Sequence, residues 1–474
     1  MKVLLVNTNL MKPPVAPIGL DYLADSIRAA GHEPALLDLC FSADVEADIA
    51  AACRREYGLI GCTVRNTDDC YFASGAFFLP AIRDIVSSMR RCSEAPIVLG
   101  GVGFSVMPEA VVEHCGADYG IAGDGEEALV QLLGMLRSRS DPATVPNLVY
   151  RDDGILHRGP AAEIDLANLP VRTRSLVDNR RYFAEGGQAG FETRRGCPMA
   201  CLYCADPVSK GRRTRLLPPR RVADEVRTLV GQGIDHLHTC DPEFNIPLEH
   251  ARDVCRSMIE GGLGEKIRWY AYCSPAPFDE ETAVLMRRAG CAGIDFGADS
   301  GSDRILRRLG RHFGAADLAS TARACRQAGI VFMYDLLLGG PGETRESLKE
   351  SLDVVRRIGP DCVGVSLGVR VYPGTPLAGE VRGEGPMELN PALRGERDGN
   401  PLFVRPVFYL SPDLGPDPAA LVWNEVGDDP RFFLPGGPEA ARDYNYNEND
   451  LLEHAIRDGA RGAFWDILRR MRTG

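Results

Sequence analysis

The run Arg195-Gly196-Cys197-Pro198-Met199-Ala200-Cys201-Leu202-Tyr203-Cys204 constrains this chain more than any other stretch. Its spacing is Cys-x3-Cys-x2-Cys, with an aromatic residue just before the last cysteine. Gly196 and Pro198 favour an irregular loop over a helix, which lets the sulfurs converge. Three thiolates on one tight loop hold three irons of a [4Fe-4S] cluster and leave the fourth iron open. A zinc site would ask for a fourth Cys or His at compatible spacing, and no partner pair is evident. The chain has 15 cysteines, an odd number. Most of the others, such as Cys53, Cys62, Cys255, Cys291, Cys325 and Cys362, sit singly in apolar stretches. They read as small buried hydrophobes in a reducing compartment.

A length of 474 residues predicts two or three domains. Over residues 1–145, apolar runs at Val3 to Val6, Ala35 to Leu39, Leu59 to Val64, Ile97 to Gly100 and Tyr119 to Ala122 alternate with helical periodicity, as in Pro17 to Ala30. This rhythm predicts a doubly wound parallel sheet with ligands at the carboxyl ends of its strands. The segments at those ends are Asn7-Thr8-Asn9, Arg65-Asn66-Thr67-Asp68-Asp69, Gly100-Gly101-Val102-Gly103 and Gly123-Asp124-Gly125-Glu126. A nucleotide fingerprint would put Gly-x-Gly-x-x-Gly after the first strand, where Asn7-Thr8-Asn9-Leu10 stands instead. Residues 146–185 read as a connector with a hairpin at Asp152-Asp153-Gly154. Residues 186–376 resume the rhythm and predict a partial (β/α)6 barrel, with strands at His236 to Thr239, Arg268 to Tyr272, Gly293 to Gly297, Val331 to Leu338 and Val363 to Val371. Residues 377–474 read as a small α+β domain with Pro/Gly clusters and a final helix from Asp450 to Arg472. The whole is α/β. With 66 acidic against 54 basic residues the net charge is −12, which argues against nucleic acid and anionic membrane as partners. The first apolar run is too short to span a bilayer, and the cytoplasm is the expected compartment.

The cysteine loop and the segments behind it resemble the radical S-adenosylmethionine (SAM) superfamily. The resemblance implies that the open iron chelates the amino and carboxylate groups of SAM. It places Tyr203 by the adenine. It assigns Asp241 and Glu243, in Thr239-Cys240-Asp241-Pro242-Glu243, to the methionine end. Asp299 and Ser300, in Gly297-Ala298-Asp299-Ser300-Gly301, match a segment contacting ribose or carboxylate. Gly339 and Gly340, in Gly339-Gly340-Pro341-Gly342-Glu343, match the adenine-side glycine motif, and Tyr372 stands at the end of the last strand.

The first domain resembles the cobalamin-binding domains fused to radical SAM enzymes, which have a flavodoxin-like sheet. Pro17-Ile18-Gly19-Leu20, Val98 to Phe104 and Gly123 to Leu129 carry the likeness. The implied cobalamin contacts are Asn7, Thr8, Arg65, Asn66, Gly100, Gly101, Gly103, Phe104, Gly123, Gly125 and Glu126. Many such carriers place a histidine under cobalt through Asp-x-His-x-x-Gly. That motif is absent, and His32 and His114 lie outside its context. We therefore expect cobalamin without a histidine below the metal. Arg65 is the candidate for the lower face, against an ordinary ion pair with Asp68 or Asp69.

Together the two likenesses imply a methyltransferase. It would move methyl from SAM, by way of methylcobalamin, to a carbon, or less expectedly a phosphorus, of a natural-product or peptide intermediate. The stretches Phe403 to Tyr409 and Arg461 to Leu468 are similar to the tryptophan-methyltransferase-like branch. A non-methylating rearrangement, cyclisation or sulfur transfer is the alternative, and a non-catalytic cobalamin-binding protein a further one. The expected partners are a small-molecule or peptide-derived substrate and an external one-electron reductant of flavodoxin or ferredoxin type. Tyr270, Tyr272 and Arg370 are candidates for facing the substrate, with Tyr409, Tyr444, Asn445 and Tyr446 as further polar residues of the last segment.

Overall fold

The computed structural model describes residues 1–434, 436 and 440–473, so part of the Pro/Gly run after Leu434 lies outside the described residues. Strands rich in Val, Ile and Leu need burial on both faces, and a parallel sheet covered by helices supplies it. The first sheet contains β1 (Lys2–Asn7), β2 (Glu33–Asp38), β3 (Leu59–Thr63), β4 (Ile97–Gly100), β5 (Tyr119–Ile121), β6 (Leu148–Asp152) and β7 (Ile155–Arg158). Its order is β2-β1-β3-β4-β5-β6-β7, the first five parallel and the last two antiparallel. The order 2-1-3-4-5 is flavodoxin-like and reverses direction between β1 and β3, where a crevice opens. Two apolar cores, one on each face, hold the sheet between its helices. The hairpin expected at Asp152-Asp153-Gly154 is present. Positive φ at Asp153 and Gly154 makes the tight turn. Its strands extend the first sheet rather than lying in a free connector.

The second sheet is built from β8 (Ala189–Phe191), followed by the small hairpin β9 (Arg194–Arg195) and β10 (Arg215–Leu216). It continues through β11 (His236–Thr239), β12 (Arg268–Cys273), β13 (Cys291–Asp299), β14 (Val331–Leu338) and β15 (Cys362–Leu367). β8 and β11 to β15 pair in parallel in chain order, giving six βα units. The strand expected over Val363 to Val371 breaks at Gly368, which has φ +81°. β16 (Val369–Arg370) then leaves to pair with β18 (Val407–Tyr409), which also pairs with β17 (Leu393–Gly395). β19 (Phe432–Phe433) returns and adds in parallel to the open edge at β15.

Side chains alternate along each barrel strand. Trp269, Ala271, Cys273, Ile294, Phe296, Ala298, Phe332, Tyr334 and Leu336 point outward into one core beneath the helices. The opposite set faces the lumen in layers. Tyr270, Met333 and Cys362 form the lowest layer and join Trp465, Ile467 and Leu468 in a separate apolar cluster. The C-terminal helix therefore plugs the bottom of the barrel. The single helix expected over Asp450 to Arg472 is instead two, Asp450–Arg457 and Phe464–Thr473. Gly459 and Gly462, at φ +104° and +120°, make the corner.

The segment between the sheets is locked. Arg174 is fully buried and bonds Asp21 Oδ2 at 3.1 Å, Glu225 Oε1 at 2.9 Å, Asn179 Oδ1 at 2.8 Å and the Gly190 carbonyl at 2.8 Å. Arg172 adds Glu225 Oε2 at 2.9 Å and Glu192 Oε2 at 2.7 Å. These arginines tie a helix of the first sheet (Asp21) to a helix of the barrel (Glu225). Among the described residues no helix is long and apolar enough to cross a membrane.

Candidate active site

The cysteine loop leaves the barrel after β9. Gly196 has φ +88°, and a β-carbon there would collide with the Arg213 carbonyl, so the residue before Cys197 must be glycine. Asp241 sits under the loop. Its Oδ1 accepts the Thr193 and Arg194 amides at 2.9 and 3.1 Å, and its Oδ2 the Thr193 hydroxyl at 2.7 Å. Arg194, also buried, donates to the carbonyls of Glu243 at 2.9 Å and Gly196 at 2.6 Å. From the other side the turn at Leu309 and Gly310 packs on the loop, with the Leu202 amide on the Leu309 carbonyl at 2.9 Å. It presents Arg311, whose guanidinium reaches Cys201 Sγ at 3.0 Å, Glu243 Oε1 at 3.2 Å and the Gly297 carbonyl at 2.8 Å. Arg311 Nε lies 3.3 Å from Asp299 Oδ2, and that oxygen accepts the Tyr203 hydroxyl at 2.7 Å.

Cys197 and Cys201 are buried and Cys204 is partly so, and burial pushes all three thiols up. Among the described residues no three His, Cys, Asp or Glu side chains gather around a point as a single metal ion would require. A four-iron cluster takes one thiolate per corner, which calls for a wider triangle. Cationic Arg311 and Arg194 border this triangle, and Arg194 Nη2 and Glu243 Oε2 are buried without partners. The donor set, its arginine surround and the orphaned polar atoms fit a thiolate-bound cluster with one open face.

The crevice of the first sheet faces this loop. Gly101 has φ +113°; a β-carbon on it would lie 2.6 Å from the Val64 carbonyl, and one on Gly103 would lie 2.9 Å from the Arg65 carbonyl. Glycine here lets two backbone segments touch at the sheet's carboxyl edge. The same edge exposes Leu10 (43%) and Val102 (46%) and carries Asn9 Nδ2 without a partner. Arg65 has no ion pair among the described residues. Asp68 pairs with Arg370 at 3.0 Å and accepts from Tyr372 at 3.0 Å, and Asp69 serves Ser74, the Tyr71 amide and Asn445. The alternative of an Arg65 ion pair with Asp68 or Asp69 is therefore not what the structure contains. Desolvation lowers the Arg65 pKa, while Cys240 and Tyr272 of the barrel act on it from across the gap. An unpaired cation, an orphaned amide and an apolar rim beside a glycine-lined edge fit a broad corrinoid disc.

Arg65 of the first half and Cys240, Tyr272 and His238 of the barrel face one another between the two halves. Tyr272 is 46% exposed, and Cys70 and Cys240 are exposed. Yet burial pushes both thiols up to about 12 and drops His238 to about 4. Side chains that solvent reaches but whose ionisation is governed by surrounding protein line a cavity rather than an outer surface.

The geometry redistributes several expected roles. Asp241 holds the cysteine loop, and Ser300 bonds Ser351 Oγ at 2.7 Å in full burial. Tyr372 does not turn toward the cysteine loop; it bonds Asp68 and Cys70 of the first half, the latter at 3.0 Å. Phe104 is a core residue fitted over Gly120. Glu126 bonds Arg195 at 2.9 and 3.1 Å, and Asp124 bonds Arg195 at 2.8 Å and Arg215. These acids fasten the first half to the cysteine loop. Asn7 bonds Asp38 at 2.9 Å and Tyr182 at 2.8 Å, Thr8 bonds the Thr63 carbonyl, and the Gly123 amide bonds Ser105 Oγ at 2.8 Å. Gly125 lies against Leu23. Asn66 and Gly100 stay at the crevice edge, partly exposed. Gly339 donates to Glu343 Oε2 at 2.5 Å, and Gly340 packs on Leu309 and Val369. Of the barrel candidates only Tyr272 opens into the cavity. Tyr270 is tied to Asp466 at 2.8 Å, and Arg370 is buried on Asp68. Sequence reading did not single out Arg311, Asp295 or Asp335. Arg311 has no local signal, but an acid inside an otherwise apolar strand, as in Phe332-Met333-Tyr334-Asp335-Leu336, is one.

Comparison with known proteins agrees with this geometry. The B12 binding domain family matches residues 5–133, and the Radical SAM superfamily matches residues 191–355. Tryptophan 2-C-methyltransferase of Streptomyces laurentii is 30% identical, over 98% of this chain and 95% of that protein. The radical SAM methyltransferase TsrM of Kitasatospora setae, solved with tryptophan substrate and the SAM analogue aza-SAM, superposes with a TM-score of 0.93 at 31% identity, covering 100% of this chain and 98% of that one. The same enzyme with cobalamin and [4Fe-4S] cluster gives a TM-score of 0.90 at 30% identity, with the same coverage. The chain thus belongs to the cobalamin-dependent radical SAM methyltransferases, alongside tryptophan 2-C-methyltransferase.

Proposed function

We propose that this enzyme methylates a ring carbon of tryptophan or of a close indole relative, with Cys197, Cys201 and Cys204 holding the cluster and Arg65 standing beneath cobalt. Unpaired Arg65 of the glycine-lined crevice facing the exposed Tyr272 of the barrel supports this reading. When bound, the three cofactors supply the methyl group and the site that accepts the reductant's electron. The chain's own residues bind, orient and exclude water. Arg311 and Arg194 offset the charge of the thiolate loop. Glu243, with one unpartnered oxygen, and Tyr203, fixed by Asp299, border its open side. Arg65 would hold the corrinoid by presenting a cation to it rather than a ring nitrogen. Tyr272 and the aromatic side chains of the last segment give a flat ring a wall to stack on. An external flavodoxin- or ferredoxin-type protein in the cytoplasm supplies the electron; the acidic chain has no nucleic-acid or membrane partner.

The test is turnover by anaerobically reconstituted enzyme with cobalamin, a low-potential reductant, L-tryptophan and SAM carrying a deuterated methyl group. The expected product is tryptophan bearing the label, with S-adenosylhomocysteine formed alongside. Formation of 5′-deoxyadenosine with no methyl gain would replace this reading by a rearrangement.

A further inference from the structure

The middle layer of the barrel lumen holds two carboxyls that the chemistry above does not use. Asp295 on β13 and Asp335 on β14 lie within hydrogen-bonding reach of each other, directly above the layer plugged by Trp465. Asp295 is buried, and one oxygen of each carboxyl has no partner. Among the described residues no Lys, Arg or His pairs with either. Gly364 on β15 makes room for them: a β-carbon there would collide with Asp335 Oδ1 and the Tyr444 ring. Tyr444 packs beside Asp335 over Gly364, and its ring stands edge-on to Tyr71 and Tyr446 at 5.8 and 5.7 Å between centroids. Tyr446 keeps its own hydroxyl unpartnered in burial. Tyr272 and Asp299 complete the ionisable groups acting on the pair.

We infer that Asp295, Asp335, Tyr444 and Tyr446 form an anchor for a primary ammonium group of the substrate. Two desolvated carboxyls in contact cannot both ionise unless a cation joins them, so the pair retains one proton without a ligand. Burial and the neighbouring Asp335 push Asp295 well up, while burial, with Asp299 behind it, raises Asp335 to about 6. An ammonium group supplies three donors and one charge. It satisfies the two free carboxylate oxygens and the Tyr446 hydroxyl, and the aromatic walls favour a cation. On entry it displaces the retained proton to solvent. The inference takes only the ring of the ligand, and not its amine, from the tryptophan reading.

Calorimetry on the reconstituted holoenzyme at pH 7, in buffers of different ionisation enthalpy, counts the protons released on binding. Tryptamine and phenethylamine are each expected to release a proton, approaching one per amine. Indole-3-propionate, which lacks the amine, is expected to release none. Asp335→Asn and Asp295→Asn should each weaken tryptamine binding about 30-fold and leave indole-3-propionate within about 3-fold. Amines that bind without proton release, or not at all, overturn the anchor, and that arm needs no variant to fold. Amine binding as expected, with no methylation of tryptophan, would retain the anchor and discard tryptophan as substrate.

Discussion

Arg195 joins the two halves of the enzyme, and replacing it with methionine tests how firmly. Its guanidinium makes five charge-assisted hydrogen bonds, to Asp124, to both oxygens of Glu126 and to both oxygens of Glu192. The consequences for the three acids differ. Asp124 keeps Arg215, and Glu192 keeps Arg172. Glu126 has no other partner among the described residues and is 5% exposed. The loss therefore falls on one stranded buried carboxylate, and leaving such a charge uncompensated costs about 3–5 kcal/mol. Arg195→Met with Glu126→Gln removes the stranded charge and should recover about half of that. The two sheets need not unfold together, so a global melt is a poor readout. Hydrogen exchange of the apo chain is better: protection of residues 194–204 and 124–130 should fall together in the single variant and return in part in the double. A single variant within about 1 kcal/mol of wild type, or a double as unstable as the single, would refute the reasoning.

Three further outcomes follow from the same structure. Burial pushes Glu343 up to about 7 against the pull of the Gly339 and Gly340 amides. The folded state then holds a proton that the unfolded chain releases above about 4.5, so this group's contribution falls as pH rises from about 4.5 to 7 and stays low beyond. In ligand-free enzyme Glu343→Gln should accordingly be near neutral at pH 5 and stabilising by up to about 3 kcal/mol at pH 8, read from denaturant midpoints. Arg174→Met removes the cation from buried Asp21, which keeps the Leu176 and Val177 amides and Asn179, and should cost about 3 kcal/mol, measured as lost protection in the segment joining the two sheets. Bound cob(II)alamin in wild type should show no nitrogen splitting from below in its electron paramagnetic resonance spectrum, and Arg65→His should introduce it; splitting in wild type would remove Arg65 from the lower face.

Much of the scaffold is legible in the residues. The first sheet follows from apolar runs separated by helical periodicity, and β11 and β14 fall where the runs His236 to Thr239 and Val331 to Leu338 predict. What local pattern does not carry is where a polar side chain is bound over long sequence separation. Glu126 and Asp124 look like crevice residues because they follow β5, but Arg195 and Arg215, some 70 to 90 positions later, claim them. Tyr372 ends a strand, yet Asp68, 304 positions earlier, fixes its hydroxyl. Phe104 beside three glycines reads as a cobalamin contact; the space above Gly120 makes it core. The last helix fails for a local reason, since Gly459 and Gly462 take positive φ that helical spacing alone does not reveal. Arg311 is found only by folding, because the turn after Leu309 brings it onto a sulfur 110 positions away.

The account stands on two cofactor sites that face one another between the two halves. Electron paramagnetic resonance of the fully loaded, reduced enzyme measures this directly, because a reduced cluster and cob(II)alamin are both paramagnetic. The structure predicts that the cobalt spectrum is broadened by dipolar coupling when the cluster is reduced, and that Cys201→Ala restores the narrow lines. Two superimposed, mutually unperturbed signals would contradict it.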